Sequence, residues 1–586
     1  MASWVRTRRH DPTPLRQHRV TVYPLPDDIV VDRDVPIRLT DGTVLMANVY
    51  RPQSPPGTRH PVLVSVTPYG KDIGVDGYPI DFDALADSGN YVGDLRLSDR
   101  TSFEAPDPAQ WVPHGYVLVV ADQRGCFTSG GKPRMLLGRS AADAADVVEW
   151  AAAQPWSTGR VGMAGASHLA TLQWYTAARR PPHLAAIAPW EGISDPYRDT
   201  LCHGGVPDTR FSEFWHRSLY IGAGSAARAF RRIGPWLLRR HHTRCRHLVG
   251  PPKLEDVTVP AFVGVSWSDQ GPRTRGSITG YLRLGSSRKW LYTHGRKMWQ
   301  TFYSREVVDA QRRFFDHVLA DADNGFGDTP AVRLETRHDL RTCSERYEAQ
   351  WPIPDTRYVP LYLDHVTGGL VGDRRQEPSS ARTFPVAGDV LTFTHTFGTD
   401  TEISGHTALR LWVQAKDAED MDLFVGIGKH DVDGEEVLFE GHAGSEAGQV
   451  AQGCIRVSRR ALDTEASTNY RPVVAPAGRR PLRPGEIVPV DIEITPHSTF
   501  FEAGSSLVLT IAGHDLCTGP VVGHDCTVNQ GFHIVHTGGR FDSHLLVPVV
   551  PDRAGGGDGE PGMQLDGGDV PIAWGAVFAQ HERAVR

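Results

Sequence analysis

The sequence predicts an α/β domain that is interrupted by a helical insertion and followed by an all-β domain. Up to about residue 325, short apolar segments alternate with segments of helical spacing, which is typical of a parallel sheet covered by helices. Beyond that point, strand-like segments recur between turn signals and helical spacing is nearly absent. A chain of 586 residues is also too long for one ordinary domain. We expect a core at 1–195 and 257–325, an inserted cap at 196–256 and the all-β domain at 326–586.

The core is predicted from buried strands and the helices between them. Continuous apolar runs of strand length lie at 61–66, 116–121, 160–165, 184–189 and 261–265. Such runs are typical of strands that are buried on both faces of a parallel sheet. Helical spacing occurs at 140–153, 167–179 and 306–319. Asp143 and Asp146, on the first of these helices, are expected to lie on a solvated face.

The inserted segment is rich in aromatic and arginine residues and breaks the alternation of strand and helix. This composition predicts a helical cap over the core. Its aromatic residues, and one tryptophan that follows a predicted core strand, are candidates for the wall of a substrate pocket. The alternative is that these residues pack in an apolar core. The candidates are Phe211, Phe214, Trp215, Tyr220 and Trp267.

The last part of the chain is predicted to be a sandwich of strands. Strand-like segments lie at 331–336, 358–363, 390–396, 408–415, 422–429, 487–494, 506–513 and 533–537. Many short strands with turn signals between them are typical of a β-sandwich or jelly roll. The Pro- and Arg-rich stretch at 462–485 is expected to be a long surface loop.

Composition excludes several classes of protein. Hydrophobic residues make up 40% and charged residues 22% of the chain, which is ordinary for a globular protein. The net charge of −7 gives no reason to expect a nucleic-acid partner. No apolar run approaches the roughly 20 residues of a membrane helix. Seven cysteines and the lack of an apolar segment after the N-terminal arginines favour a cytoplasmic protein without a disulfide framework.

The motif Gly165-Ala166-Ser167-His168-Leu169-Ala170 is the strongest chemical signal in the sequence. It follows a predicted buried strand and begins a predicted helix. A sharp turn at this junction exposes a serine hydroxyl and leaves the next backbone N–H free to bind an oxyanion. The second glycine of the usual G-x-S-x-G motif is replaced by Leu169. The alternative is a serine that caps an ordinary helix.

A serine nucleophile requires a base, and the base requires a carboxylate that orients it. Asp269 follows the predicted strand at 261–265, and His294 follows the predicted strand at 289–292. Both lie past the carboxyl ends of strands, where open α/β sheets have their active sites. The order of serine, acid and histidine along the chain is that of α/β-hydrolases.

Several motifs in order resemble the CocE/NonD family of serine hydrolases, which includes esterases, X-Pro dipeptidyl-peptidases and α-amino-acid ester hydrolases. The resemblance extends from about residue 35 to about residue 548. It is carried by the segment at 35–52, Thr67-Pro68-Tyr69-Gly70-Lys71, Asp122-Gln123-Arg124-Gly125, Gln154-Pro155-Trp156, Gly162–Ala170, Ser266-Trp267-Ser268-Asp269, His294-Gly295 and the later segments at 421–424 and 482–485.

The resemblance implies an α/β-hydrolase core with an inserted helical cap and a C-terminal jelly roll. It implies that Ser167 is the nucleophile, His294 the base and Asp269 its orienting acid. The hydroxyl of Tyr69 and the backbone N–H of His168 would form the oxyanion hole. The reaction would be hydrolysis of an ester or amide of a small molecule through an acyl-enzyme, without cofactor or metal.

One departure from the family concerns the residue after the nucleophile. The family usually has tyrosine there, whereas this chain has His168. Its backbone N–H could still bind an oxyanion, but the imidazole would add a titrating group beside Ser167. The alternative is a histidine on the helix surface.

Two other functions stay open at this stage: an acyltransferase with the same triad, and a non-catalytic binding protein. A peptidase is not favoured, because the sequence shows no clear anionic pair that would bind a substrate ammonium group. The substrate is not defined, and a homo-oligomer is neither predicted nor excluded.

Other clusters of histidine and cysteine are expected to be structural. His241, His242, Cys245 and His247 lack a second half with metal-ligand spacing. His203-Gly204-Gly205 is similar to a lipase oxyanion loop, but that loop should precede the nucleophile. The late cluster is assigned to closing strands of the jelly roll, and it comprises His514, Cys517, His524, Cys526, His533 and His536.

Overall fold

Strands in the first part of the chain form a mixed sheet in the computed structural model, which describes residues 6–9, 20–78, 95–133, 137–211, 213, 250–373, 378–441, 447–476, 478–516 and 522–551. The strands of this part are β1 (Arg6–Arg9), β2 (Thr21–Tyr23), β3 (Ile29–Arg38), β4 (Val44–Pro52), β5 (His60–Thr67), β6 (Arg96–Ser98), β7 (Val117–Asp122), β8 (Ser157–Ala166), β9 (Leu184–Trp190), β10 (Cys202–His203), β11 (Val206–Pro207), β12 (Ala261–Ser266), β13 (Lys289–His294), β14 (Val332–Arg337) and β15 (Thr342–Glu348). The pairs β2–β6 and β10–β11 form two small sheets of their own.

The central order of this sheet is β3-β4-β7-β5-β8-β9-β12-β13-β14-β15-β1. The strands from β7 to β14 in this order are parallel, and β7 and β12 are buried along their whole length. The predicted parallel sheet of a doubly covered α/β domain is therefore confirmed. Because β8, β9, β12 and β13 are neighbours, the residues that follow them meet at one edge.

Helices cover both faces of this sheet. They are α1 (Pro108–Trp111), α2 (Leu137–Ala152), α3 (Ser167–Ala177), α4 (Thr274–Arg283), α5 (Met298–Phe302) and α6 (Arg305–Leu319). Val147 of α2 and Ile278 of α4 belong to the apolar core on one face. Phe314 and Phe315 of α6 belong to the core on the other face. Single helical turns lie at Val75–Gly77, Val112–His114, Tyr197–Leu201, Leu254–Asp256, Phe326–Asp328 and Val457–Arg459.

A buried ion pair holds the loop after β7 against α2. Arg124 donates from Nε and Nη2 to the two carboxylate oxygens of Asp143, each at 2.7 Å. The expectation of a solvated face is therefore wrong for Asp143, whose side chain is nearly inaccessible. Asp146, one helical turn later, does lie near the surface, where it accepts hydrogen bonds from Thr40.

Substitution of Asp143 by alanine is expected to lower the free energy of unfolding by about 3 kcal/mol, because it removes one partner of a buried ion pair. Asp41 also contacts the Arg124 guanidinium, at 2.8 Å. Because Arg124 keeps this partner in the variant, the loss of unfolding free energy should be near the lower end of the usual range. The measurement is urea denaturation at equilibrium. Asp146→Ala on the same helix is the control and should cost about 1 kcal/mol or less. Equal losses in the two variants would contradict the assignment.

From residue 357 onward the chain is a sandwich of mainly antiparallel strands with few helices, as predicted, but the strand that the sequence predicts for this domain at 331–336 belongs to the core sheet as β14. The strands of the sandwich are β16 (Arg357–Asp364), β17 (Gly369–Val371), β18 (Ser380–Pro385), β19 (Leu391–Thr396), β20 (Thr401–Lys416), β21 (Asp422–His430), β22 (Glu436–Val437), β23 (Phe439–Glu440), β24 (Ala447–Gly448), β25 (Ala451–Arg456), β26 (Val488–Phe501), β27 (Ser506–Ala512), β28 (Phe532–Thr537) and β29 (His544–Val550). The long strand β20 pairs with β26, β28 and β29, while β21 pairs with β25 and β27. An apolar core separates these two layers.

The two parts of the chain are in direct contact. Arg337 at the end of β14 pairs with Thr499 of β26, which joins the core sheet to the jelly roll. Arg275 of α4 donates to Glu493 of β26 at 2.9 Å. The cap segment at 214–249 lies outside the described residues, and with it Phe214, Trp215 and Tyr220. In the described part of the chain, every helix is too short or too polar to cross a bilayer.

Candidate active site

Ser167 lies at a strained turn between β8 and α3. Its φ of +54° is in the left-handed region, which costs a non-glycine residue about 1–3 kcal/mol and is common at active sites. Gly165 has a φ of +140°, and a Cβ there would lie 2.7 Å from Cβ of Leu169. Ala166, not Ser167, is at the N-cap position, and no side chain caps the helix. The helix-cap alternative for Ser167 is therefore wrong.

Three donor groups lie close to the carboxylate of Glu104, which follows β6 in the chain, and each of them lowers its pKa. They are the hydroxyl of Ser167, the hydroxyl of Tyr69 and the backbone N–H of His168. Glu104 is buried, and burial raises its pKa to about 7, although the charge of Arg273 and these donor groups act in the opposite direction. The Tyr69 hydroxyl and the His168 N–H, which the sequence predicts to form an oxyanion hole, thus both lie close to one buried carboxylate.

Arg273 connects Ser167 to Asp269. Its Nη2 donates to Oγ of Ser167 at 2.9 Å, and its Nη1 donates to Oδ2 of Asp269 at 2.6 Å. Burial lowers the pKa of Arg273, but the charges of Asp269 and Glu104 outweigh burial and the net shift is upward. The guanidinium also lies 5.5 Å from the ring centroid of Phe211. Arg273 is therefore a permanent cation in contact with the candidate nucleophile.

Glu191 lies between Asp269 and His294. It directly follows β9 and has a φ of +53°. Burial and the charge of Asp269 raise the pKa of Glu191 well above its usual value. Its Oε1 lies 3.2 Å from Nε2 of His294. The interior of low dielectric constant and the neighbouring negative charge both disfavour ionisation of Glu191.

His294 is fully buried at the end of β13. Its ring stacks on the indole of Trp190, with centroids 5.4 Å apart and planes inclined by 9°. Nδ1 accepts the backbone N–H of Arg296 at 3.3 Å, and Nε2 lies 3.2 Å from Oγ1 of Thr301. Burial lowers the pKa of His294 to about 3, so the ring is neutral. Among the hydrogen bonds of the described residues, none joins His294 to Ser167 or Asp269.

The imidazole of His168 lies inside the protein, beside the ring of Tyr69. The two ring centroids are 6.3 Å apart and the planes are nearly perpendicular. Burial lowers the pKa of His168 to about 4. The interpretation of His168 as a helix-surface residue is therefore wrong, and its ring is neutral at physiological pH.

The two described aromatic pocket candidates lie in different environments. Trp267 is completely buried in the apolar core, where its indole N–H donates to the carbonyl of Glu335 at 2.8 Å and its ring faces Trp351. Its role as a pocket wall is not supported, and the alternative of core packing describes it. Phe211 is also buried, but it packs beside Arg273 and so lies near Ser167.

A small cavity of about 260 Å³ borders the carboxyl group of Asp269. Asp269 and Arg273 line one side, and Lys297, Met298 and Trp299 line another. The ammonium group of Lys297 is held by the carbonyl of Gly441 at 2.5 Å, so residues of the second domain also border this space.

The sequence analysis missed three residues of the site: Glu104, Glu191 and Arg273. Glu191 stands after a buried strand, so the rule that selected Asp269 would also have found it. Arg273 lies one helical turn after Asp269, a spacing that favours an ion pair. Glu104 carries no such signal. Asp269 is paired with Arg273, and the expectation that the site lacks an anionic pair for a substrate ammonium group stays a prediction.

The fold and the turn at Ser167 define an α/β-hydrolase with an attached jelly roll. The family model for X-Pro dipeptidyl-peptidase of the S15 family matches residues 41–233, and the model for the X-Pro dipeptidyl-peptidase C-terminal non-catalytic domain matches residues 324–546. A CocE/NonD family hydrolase from Staphylococcus aureus superposes with a TM-score of 0.83 at 35% identity, over 89% of this chain and 94% of that chain.

Curated relatives agree with this assignment. Cocaine esterase from a Rhodococcus strain is 22% identical over 89% of this chain and 98% of its own length. A putative serine esterase of Mycobacterium bovis is 24% identical over 69% of this chain and 79% of its own length. The chain belongs to the CocE/NonD family of hydrolases. The predictions of the family, of the fold class and of an enzyme of esterase or peptidase type are confirmed.

Proposed function

We propose that the protein hydrolyses an ester or amide bond of a small molecule through a covalent acyl-enzyme on Ser167. The observation that carries this proposal is the convergence of Ser167, Tyr69 and the N–H of His168 on one carboxylate. A carboxylate oxygen resembles the oxyanion of a tetrahedral intermediate in charge and in its demand for donors. Donors that converge on it are placed to stabilise that intermediate.

The proposed first step is attack by Oγ of Ser167 on the substrate carbonyl carbon. The carbonyl oxygen would take the place of the Glu104 carboxylate, between the hydroxyl of Tyr69 and the N–H of His168. Glu104 must therefore leave this position before substrate binds productively. The guanidinium of Arg273 lies 2.9 Å from Oγ and would stabilise negative charge as the hydroxyl loses its proton.

The proposed base is His294, with Asp269 as its orienting acid. In the resting arrangement the Nδ1 of His294 accepts a hydrogen bond, so the proton of the neutral ring is on Nε2. Proton transfer from Ser167 to Nε2 requires the other tautomer and requires His294 to replace Arg273 or Glu104 at Oγ. His294 would then protonate the leaving group, and water would release the acyl group.

The proposal is tested with a fluorophosphonate probe and intact-protein mass spectrometry. The wild type should gain one adduct, and Ser167→Ala should gain none. Ser277→Ala is the control, because Ser277 is also buried and donates a single hydrogen bond, to the carbonyl of Gly192 at 3.0 Å. A folded wild type that gains no adduct, or an adduct that persists in Ser167→Ala, would refute the proposed nucleophile.

Hydrolysis is separated from acyl transfer and from non-catalytic binding in a second measurement. Esters and amides, each with and without an amine beside the carbonyl, are incubated with the enzyme in the absence and presence of an added alcohol. We expect free acid to form without the alcohol. Product that forms only with the alcohol would indicate an acyltransferase, and no turnover of any acyl donor would support a binding protein.

The value of kcat/KM for an ester without titratable groups is expected to fall as the pH rises above 7. The pKa of Glu104 is about 7, and only its ionised form makes charge-assisted hydrogen bonds to Tyr69 and His168. Ionisation of Glu104 thus strengthens its competition with substrate for these donors. The decline of kcat/KM should approach tenfold per pH unit. The kcat/KM of Glu104→Gln should not change with pH between 6 and 9.

Asp491→Asn is the control for this profile. Burial also raises the pKa of Asp491 to about 7, but this residue pairs with Arg410 inside the jelly roll. The decline above pH 7 should persist in Asp491→Asn. A wild-type profile that instead rises up to pH 7 and then levels off would identify Glu104 as a base rather than as a competitor.

A further inference from the structure

Two histidines meet at the boundary between the hydrolase domain and the jelly roll, far along the chain from each other. His203 ends β10 in the segment that leads to the cap, and His524 precedes β28 of the jelly roll. Nδ1 of His203 lies 2.9 Å from Nε2 of His524. Both residues line a cleft of about 1000 Å³ that opens to solvent, and Ser167 is not among the described residues that line it.

The outer nitrogen of each ring faces a group that accepts hydrogen bonds. Nε2 of His203 lies 2.8 Å from the carbonyl oxygen of Asp199. Nδ1 of His524 lies 2.9 Å from Oδ2 of Asp515, which also accepts the backbone N–H of His524 at 2.8 Å. A carbonyl oxygen cannot donate, and the carboxylate is already an acceptor. Each outer nitrogen therefore carries the ring proton.

This arrangement leaves both inner nitrogens with a lone pair when the rings are neutral. Two lone pairs that face each other at 2.9 Å repel unless a proton or a metal ion lies between them. Histidines that bind a metal show the same outer pattern, since the second ring N–H is donated to a carboxylate or to a backbone carbonyl. The outer contacts of His203 and His524 thus fix the tautomers that a metal requires.

Asp208 supplies a third group of the right kind. Ligand atoms of His203, Asp208 and His524 all lie within 4.8 Å of one another. Asp208 directly follows β11, is buried, and accepts the N–H of Phe211 at 2.8 Å, which fixes its carboxylate. Tetrahedral Zn²⁺ with bonds of about 2.0–2.1 Å needs ligand atoms about 3.3 Å apart. On binding Zn²⁺, the two inner imidazole nitrogens would move apart by a few tenths of an ångström. The Asp208 carboxylate would move closer to them.

We propose that His203, Asp208 and His524 bind one divalent transition-metal ion, and that Zn²⁺ is the ion this set of two imidazoles and one carboxylate suits best. Three protein ligands leave a fourth position for water or for a molecule in the cleft. The ion would link the segment that enters the cap to the jelly roll. This assignment goes beyond the proposed hydrolase and revises the structural role that the sequence suggested for His203 and His524.

The test uses the full-length protein after treatment with a chelator. Zn²⁺ binding is followed by calorimetry, and Co²⁺ binding is followed by the visible absorption of four-coordinate cobalt. We expect one ion per chain and an increase of Tm with Zn²⁺. Asp208→Asn and His524→Gln should weaken Zn²⁺ binding by at least about 100-fold, and Asp515→Asn by about 10–100-fold. None of these variants should show the wild-type increase of Tm.

His533→Gln is the matched control, because His533 is a buried histidine of β28 outside this group. It should retain wild-type Zn²⁺ affinity. Circular dichroism and labelling by the fluorophosphonate show whether each variant is folded. Equal Zn²⁺ affinity in the wild type and in Asp208→Asn would overturn the site. A wild type that binds no Zn²⁺ would also overturn the site, and a strongly deshielded imidazole N–H resonance would then show that the two rings share a proton instead.

Discussion

Replacing His294 with alanine is expected to lower kcat/KM for an unactivated ester by about 10⁶-fold, a loss typical of removing the base of a serine hydrolase. Ser167 then has no group to take its proton as it attacks and none to protonate the leaving group. The measurement is steady-state hydrolysis at pH 7. Added imidazole should restore part of the rate in His294→Ala, because the deletion leaves space beside Trp190. A purely structural role would not give this rescue.

His497→Gln is the control for the histidine. His497 is also completely buried, and burial lowers its pKa to about 3, but it lies in β26 of the jelly roll. This substitution should leave kcat/KM within a few-fold of the wild type. Near-normal activity in His294→Ala, together with a large loss in Glu104→Gln, would transfer the role of base to Glu104, which lies close to the Ser167 hydroxyl.

Removing the hydroxyl of Tyr69 is expected to reduce kcat by about 10²–10³, the usual cost of losing one oxyanion donor. Tyr69→Phe deletes one donor from the site that holds the Glu104 carboxylate and keeps the edge-on packing against Phe103, whose centroid is 5.0 Å away. KM should change little, because the donor acts mainly on the charged intermediate. The measurement is the separate determination of kcat and KM for one ester.

Tyr78→Phe is a close control for this substitution. Tyr78 packs against the same Phe103 ring, also at 5.0 Å, and its hydroxyl donates to the carbonyl of Thr101 at 2.7 Å. Its loss should reduce stability without a comparable fall in kcat. If Tyr69→Phe changed kcat by less than fivefold, Tyr69 would not be an oxyanion donor.

The strands of the core were predictable because buried parallel strands have continuous apolar runs. The turn at Ser167 was predictable because small residues there separate a strand from a helix. The position of His294 followed from the end of β13, and the same rule applied to β9 would have found Glu191. These features depend on neighbours along the chain, which one sequence displays directly.

Contacts between distant segments were not predictable in this way. Glu104 reaches the site because its loop crosses the carboxyl end of β8, where its carbonyl accepts the N–H of Ala166 at 2.9 Å. Asp143 has a polar side chain on a helix, and only the position of Arg124 explains its burial. The hydrogen bonds of His294 also depend on which carboxyl group comes nearest in three dimensions, and Glu191 does so in the resting arrangement.

The pairing of the second domain has a consequence for synthesis of the chain. β16, its first strand, pairs with β29, its last, so that Arg357 lies opposite Val549. The partner of β16 is therefore translated about 190 residues later, which takes on the order of 10–40 s at about 5–20 residues per second. Until then the edges of β16 and β20 are exposed, and unpaired strand edges attract other chains. During this interval the nascent chain is therefore open to association with other chains through these strands.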